Sequence, residues 1–213
     1  MRKILLASRG TYVTDGKYDL FDKPRNEIKW AYITTAGKSV PNTEYIRKHN
    51  QRMRELGWDF EELDIDGKTP DQLRQILADK DAINMLGGNS FFLIKCIRES
   101  GFKKVLEEFL ERGGVYCGSS AGSYVACPSM EMATWKKPAK FDRHGITDFA
   151  GMNLVPFLIV AHCTPEIIAM VKPQIEKSKY DVKLLNDQQA IQIKDGRIEF
   201  LEDLNIQFKN FGG

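Results

Sequence analysis

No apolar run in this sequence approaches the ~20 residues that cross a bilayer, so no transmembrane helix is expected. An excess of one charge is also missing. Lys and Arg number 31 against 29 Asp and Glu, a formal +2, which gives no electrostatic case for nucleic acid or a membrane surface. Cysteine is scarce. Cys96, Cys117, Cys127 and Cys163 lie in apolar contexts with no C-x-x-C spacing, the pattern of buried free thiols in a cytoplasmic protein. There is no G-x-G-x-x-G or P-loop pattern to hold a nucleotide, and no repeat, low-complexity tract or linker. The chain of 213 residues then suits one domain, 1–213, with length enough for a substantial core. Its N-terminus starts basic, but the apolar run after Arg2 and Lys3 is too short for a signal peptide and fits a first β-strand.

What is present is an alternation of strand-like and helix-like runs. Strands are expected from Ile4 to Ser8, Trp30 to Thr34, Trp58 to Leu63, Asp81 to Leu86, Val115 to Cys117, Leu154 to Ala161 and Val182 to Leu185. Helices are expected from Asn42 or Thr43 to about Leu56, from Thr69-Pro70, from about Gly101 to Glu111, and from Thr164-Pro165. Gly10 to Asn26 reads as a polar loop with some helix, and Pro128 to Asp148 as an irregular, substrate-side excursion. Lys194-Asp195-Gly196-Arg197 is a hairpin turn between Ala190–Ile193 and Ile198–Leu201. Alternating strands and helices mean an α/β fold with a mostly parallel sheet and an antiparallel end. Ligands bind such sheets beyond the carboxyl ends of the strands.

Gly118-Ser119-Ser120-Ala121-Gly122 stands at such an end, between a strand and a helix. In G-x-S-x-G the small residues let the chain turn sharply, and the central serine is left exposed at a helix N-terminus. There, free N–H groups favour a developing negative charge. Ser120 is therefore the candidate nucleophile for acyl transfer. An ordinary turn with a capping serine is the plainer alternative. Of the three histidines, His49 falls on the polar side of a helix and His144 in the polar excursion, both expected at the surface. His162 ends an apolar run and is the candidate general base. Such a base needs an acceptor on its other nitrogen. Asp187, at the next strand end, is the first choice, with Asp148 and Glu166 as alternatives. The order Ser, His, Asp differs from the Ser, acid, His order of α/β-hydrolases. The N–H groups of Ala121 and Gly88 are the candidate oxyanion donors. Neither metal nor organic cofactor is called for. Lys136, Lys137, Arg143 and Lys172 are cations that could meet a substrate carboxylate.

Leu86-Gly87-Gly88-Asn89-Ser90-Phe91, Gly118-Ser119-Ser120-Ala121-Gly122, Ala126-Cys127-Pro128 and Val160-Ala161-His162 together resemble the peptidase E family of serine peptidases, aspartyl dipeptidases whose wider family includes cyanophycinase. The resemblance runs over nearly the whole chain. It implies a flavodoxin-like sheet related to class I glutamine amidotransferase domains, a Ser-His-Glu triad, and oxyanion donors at Gly88 and Ala121. The family's glutamate, in a Leu-Pro-Glu-Gly turn, falls on Leu185-Asn186-Asp187-Gln188. An aspartate that follows Ala-Cys-Pro in the dipeptidases falls near Trp135, which opens the substrate range beyond Asp-X. The expected protein is a cytoplasmic serine peptidase, monomer or homodimer, that cleaves small peptides. Two rivals are a hydrolase of another small amide or modified dipeptide, and a non-catalytic binder with Trp135 in the pocket.

Overall fold

The strands that read as unbroken apolar runs are those buried on both faces. A computed structural model describes residues 2–136 and 142–202. In it Lys3–Ala7 (β1), Lys29–Ile33 (β2), Ala82–Met85 (β4) and Val115–Ser119 (β5) form the centre of a seven-stranded sheet. Asp59–Leu63 (β3) is one edge, with only Leu63 buried. Gln189–Lys194 (β8) and Arg197–Glu202 (β9) complete the other side, giving the order β3-β2-β4-β5-β1-β8-β9. The first five strands in that order run parallel, while β8 is antiparallel to β1 and to β9. The mostly parallel sheet with an antiparallel end is as expected.

Side chains alternate across the sheet, and each face receives its own helices. Ile4, Leu6, Ile33, Ile83 and Tyr116 face Pro70–Leu77 (α3), Ser90–Glu99 (α4), Phe102–Glu111 (α5) and Ala121–Ala126 (α6). Leu5, Ala7, Trp30 and Tyr32 face Gly10–Asp15 (α1) and Glu44–Glu55 (α2). Caps set the helix starts. Thr69 and Gln72 form a capping box at α3 with Pro70 in the first turn, and Asn89 Oδ1 accepts the N–H groups of Phe91 and Phe92 at α4.

Leu158–Val160 (β6) and Val182–Leu184 (β7) pair in a separate two-stranded parallel sheet, with Pro165–Ile175 (α7) between them in the chain. Here the expected strand from Leu154 to Ala161 shrinks to three residues. Pro156 has no N–H to give a ladder, and the N–H groups of Met152 and Leu154 go to the Val125 and Ala126 carbonyls at the end of α6. Among the described residues no helix is long and apolar enough to cross a membrane.

Candidate active site

The parallel order of β4, β5 and β1 sets three strand ends side by side: the Gly87-Gly88 turn, Ser120 and Ser8. The turn at Ser120 is tight. A Cβ on Gly118 would lie 2.7 Å from the Gly122 backbone, and one on Gly122 would lie 2.1 Å from the Met85 carbonyl oxygen. The chain passes this point with Ser120 at φ 48°, ψ −108°, a conformation that a non-glycine residue rarely adopts. Two donors grip the turn to β1: Ser120 N–H and Ser123 Oγ–H both reach the Ala7 carbonyl, at 3.1 and 2.8 Å.

His162 arrives from the smaller sheet. The Ala161 N–H donates to the Tyr124 hydroxyl of α6 at 3.2 Å, which docks the end of β6 against the helix that follows Ser120. The His162 backbone also takes a positive φ, 57°. Its Nε2 stands 3.0 Å from Ser120 Oγ, and its Nδ1 stands 2.6 Å from Asp187 Oδ1. Asp187 sits in the turn before β8, whose shape is set by Asn186: its side-chain oxygen accepts the Gln188 N–H at 2.8 Å. Of the other two acids, Asp148 pairs with Arg98 at 3.3 Å and Glu166 lies exposed in the first turn of α7. The structure thus brings Ser120, His162 and Asp187 into one hydrogen-bonded line and leaves Asp148 and Glu166 apart from it.

Burial pushes the Asp187 carboxyl up, but the hydrogen bond and charge of His162, then Arg9 and Ser8, outweigh it and hold it below the ordinary carboxylate value. An ionised Asp187 accepts only, so the proton of His162 resides on Nδ1 and Nε2 is free to accept from the Ser120 hydroxyl.

Gly87 stands so close to Ser120 that a Cβ on the glycine would lie 3.0 Å from the serine Cβ. Gly88 follows at φ 146°, its α-carbon pressed on Ala36: a Cβ there would be 2.4 Å from the Ala36 oxygen. The Ala121 N–H belongs to the first turn of α6, where donors have no partner within the helix. Neither it nor the Gly88 N–H meets an acceptor among the described residues. Nor do the described residues bring together three or more His, Cys, Asp or Glu that could hold a metal ion.

Two residues beside the line carried no signal in the sequence. The Ser8 hydroxyl donates to Asp187 Oδ1 at 3.1 Å, and Arg9 reaches Oδ2 at 3.4 Å. Both lie almost 180 residues from Asp187 along the chain and meet it only because β1 pairs with β8. The two other histidines differ from expectation as well. His144 Nε2 is 2.5 Å from Ser39 Oγ, and Asn89 Nδ2 donates both to that oxygen and to the Asp142 carbonyl, which ties residues 142–144 to the Gly88 turn. His49 is half-buried against the ring of Tyr32. Trp135 packs in the core, 7% exposed. The Lys136 ammonium donates to the Ala161 carbonyl next to His162, and Arg143 lies over the rings of Phe91 and Phe149. Lys172 is exposed, and Lys137 lies outside the described residues.

The model of peptidase family S51 matches residues 4–201. The chain belongs to peptidase family S51. That membership makes it a serine-type peptidase. A peptidase E of Nostoc is 27% identical over 219 residues, spanning 97% of this chain and 85% of that protein. An uncharacterised peptidase of Pasteurella multocida is 27% identical over 164 residues, 77% of this chain and 78% of its own. Among solved structures, a candidate peptidase E from Listeria monocytogenes superposes with a TM-score of 0.75 at 24% identity, covering 95% of this chain and 98% of that one. The S51 peptidase thus has the peptidase E fold expected from the sequence.

Proposed function

We propose that this S51 peptidase hydrolyses the amide bond of small peptides, dipeptides first among them, through Ser120, His162 and Asp187. The observation that carries the reading is the line from Ser120 Oγ through the His162 ring to Asp187, with spacings of 3.0 and 2.6 Å. His162 Nε2 takes the serine proton as Oγ attacks the peptide carbonyl. The N–H groups of Gly88 and Ala121 then hold the oxyanion. His162 returns the proton to the leaving amine, and a water, activated by the same nitrogen, releases the acyl group from Ser120. Asp187 keeps the tautomer and offsets the charge of the imidazolium. Arg9 and Lys136 at the margin of the site give it a positive character that suits the carboxylates of a short peptide. The buried, unpaired cysteines fit a reducing compartment, and we assign the protein to the cytoplasm.

The test is a dipeptide panel with Asp-X, Glu-X and neutral N-terminal residues, run on wild type and Ser120→Ala. The expected result is turnover that falls roughly 10⁴- to 10⁶-fold in Ser120→Ala. Turnover that persists in Ser120→Ala, or wild-type inactivity on every member, would overturn the reading.

A further inference from the structure

Ser8 follows directly after β1 and is fully buried, with 0% of its surface exposed. Its position follows from the sheet. The antiparallel pairing of β1 with β8 extends one step past Ala7, through Ser8 N–H to the Gln189 carbonyl at 3.2 Å, so the side chain lands against the Asn186-Asp187 turn. A serine hydroxyl has one proton to give and lone pairs to receive. Here both are committed. The lone pair accepts the backbone N–H of His162 at 2.7 Å, and the proton goes to Asp187 Oδ1 at 3.1 Å.

These contacts close a ring. His162 N–H reaches Ser8 Oγ, the Ser8 proton reaches Asp187 Oδ1, and that same oxygen accepts from His162 Nδ1. The base is therefore tied to the acid twice, once through its side chain and once through its backbone. The second tie matters because His162 has a φ of 57°, a conformation that strains a non-glycine residue and must be held by its surroundings. Its backbone neighbours are fixed, Ala161 N–H by the Tyr124 hydroxyl and Cys163 N–H by the Leu185 carbonyl. Ser8 supplies the remaining anchor, at the residue whose ring must aim at Ser120. Arg9 on Oδ2 leaves Oδ1 to the two donors of the ring.

We propose that Ser8 is a positioning residue of the peptidase. It sets the backbone of His162 and the carboxylate of Asp187 in one frame, so that Nε2 points at Ser120. This rests on the reading of Ser120, His162 and Asp187 as the catalytic groups. The plain alternative is that Ser8 only satisfies a buried N–H and contributes to folding alone.

The experiment compares Ser8→Ala, Ser8→Thr and Ser8→Val in the full chain, with Ser120→Ala alongside, on a dipeptide that the wild type cleaves. Threonine keeps the hydroxyl; valine has the same shape without it. The expected result for Ser8→Ala is a kcat about 10- to 100-fold lower, the scale of one hydrogen bond to a charged group, with KM within about twofold. Ser8→Thr should exceed Ser8→Val in kcat by about tenfold at matched melting temperature. The downfield Nδ1–H proton resonance of His162 should persist in Ser8→Thr and broaden in Ser8→Ala and Ser8→Val. Equal kcat for Thr and Val, wild-type kcat in Ser8→Ala, or failure of every variant to fold would each make Ser8 structural only and overturn the proposal. If Ser120→Ala is inactive while Ser8→Ala is unimpaired, the assignment of Ser8 alone falls. If Ser120→Ala stays active, the underlying reading falls with it.

Discussion

Gly122 lies against Met85 so closely that a Cβ on the glycine would stand 2.1 Å from the methionine carbonyl oxygen. The end of β4 and the start of α6 thus meet backbone to backbone, and this contact fixes how near the Gly87-Gly88 turn comes to Ser120. Neither partner can yield as a flexible side chain would. Gly122→Ala is expected to destabilise the peptidase by about 1–3 kcal/mol, the range for overpacking a tight interior. Thermal unfolding followed by circular dichroism measures it, together with the loss of peptide turnover. A variant with wild-type melting temperature and turnover would show that α6 can shift without consequence.

Gly88→Ala tests the oxyanion assignment on the other side of the cleft. The φ of 146° belongs to glycine, and a Cβ would be 2.4 Å from the Ala36 carbonyl oxygen. The Gly88 peptide must then rotate or retreat. As a proposed donor to the tetrahedral intermediate, its displacement should lower kcat by about 10²- to 10³-fold, the cost of one lost oxyanion donor, with KM little changed. Steady-state kinetics on a cleaved dipeptide separates the two constants. A rise in KM alone would assign the turn to substrate binding.

Asp187→Asn keeps the shape of the acid and removes its charge. Asparagine can present an N–H to His162, which favours the wrong tautomer, and kcat should fall by about 10³- to 10⁴-fold. The sign of the pH effect on stability follows from the depressed carboxyl. A group whose folded pKa lies below its unfolded value stabilises the fold at pH above the unfolded value, and that contribution is lost as pH falls through the folded one. The difference in melting temperature between wild type and Asp187→Asn should therefore be constant from pH 7 to about 5 and shrink below about 4. A gap that widens on acidification would mean that Asp187 is not held ionised by His162, Arg9 and Ser8.

The parts of the fold that could be read in advance are those with a local signal. β1, β2, β4 and β5 appear as apolar runs because each is covered on both faces. The boundaries of α5 follow from the spacing of Val105, Leu106, Phe109 and Leu110. By contrast, α4 was not read in advance: Ser90, Phe91, Leu93, Ile94, Cys96 and Ile97 are all buried, so its apolar face is a broad arc, and it opens with the continuous apolar run Phe91-Phe92-Leu93-Ile94, which does not separate helix from strand. Within the site, Ser120 was legible because the constraint is local, two small residues at fixed offsets around a strand-to-helix turn. His162 was legible as a polar end to an apolar run. Ser8 and Arg9 were not, since a serine after a strand is unexceptional until the partner of that strand is known. Pairing of β1 with β8 is a long-range event that no window of sequence contains.

His49 shows the same limit and gives the clearest pH prediction. It read as a surface residue because it lies on the polar side of α2. In the fold α1 closes over it: a Cβ on Gly10 would be 2.5 Å from its Nε2, its ring lies nearly parallel to that of Tyr32 with centroids 6.3 Å apart, and its Nδ1 is buried with no hydrogen-bond partner among the described residues. Burial lowers its pKa to about 4; the negative charge of Asp15 opposes this, and the positive charge of Arg9 adds to it. The folded protein therefore keeps His49 neutral, whereas the unfolded chain takes up a proton near 6.5. Stability from this group is complete above about 6.5 and declines as pH falls from there toward 4, by on the order of 3 kcal/mol in all. His49→Phe removes the titration and keeps a ring against Tyr32. Between pH 7 and 4 the wild type should lose roughly 5–10 °C more in melting temperature than His49→Phe, at the few degrees per kcal/mol typical of this size. Parallel losses in the two proteins would show that His49 takes up its proton in the folded state as readily as in the unfolded chain.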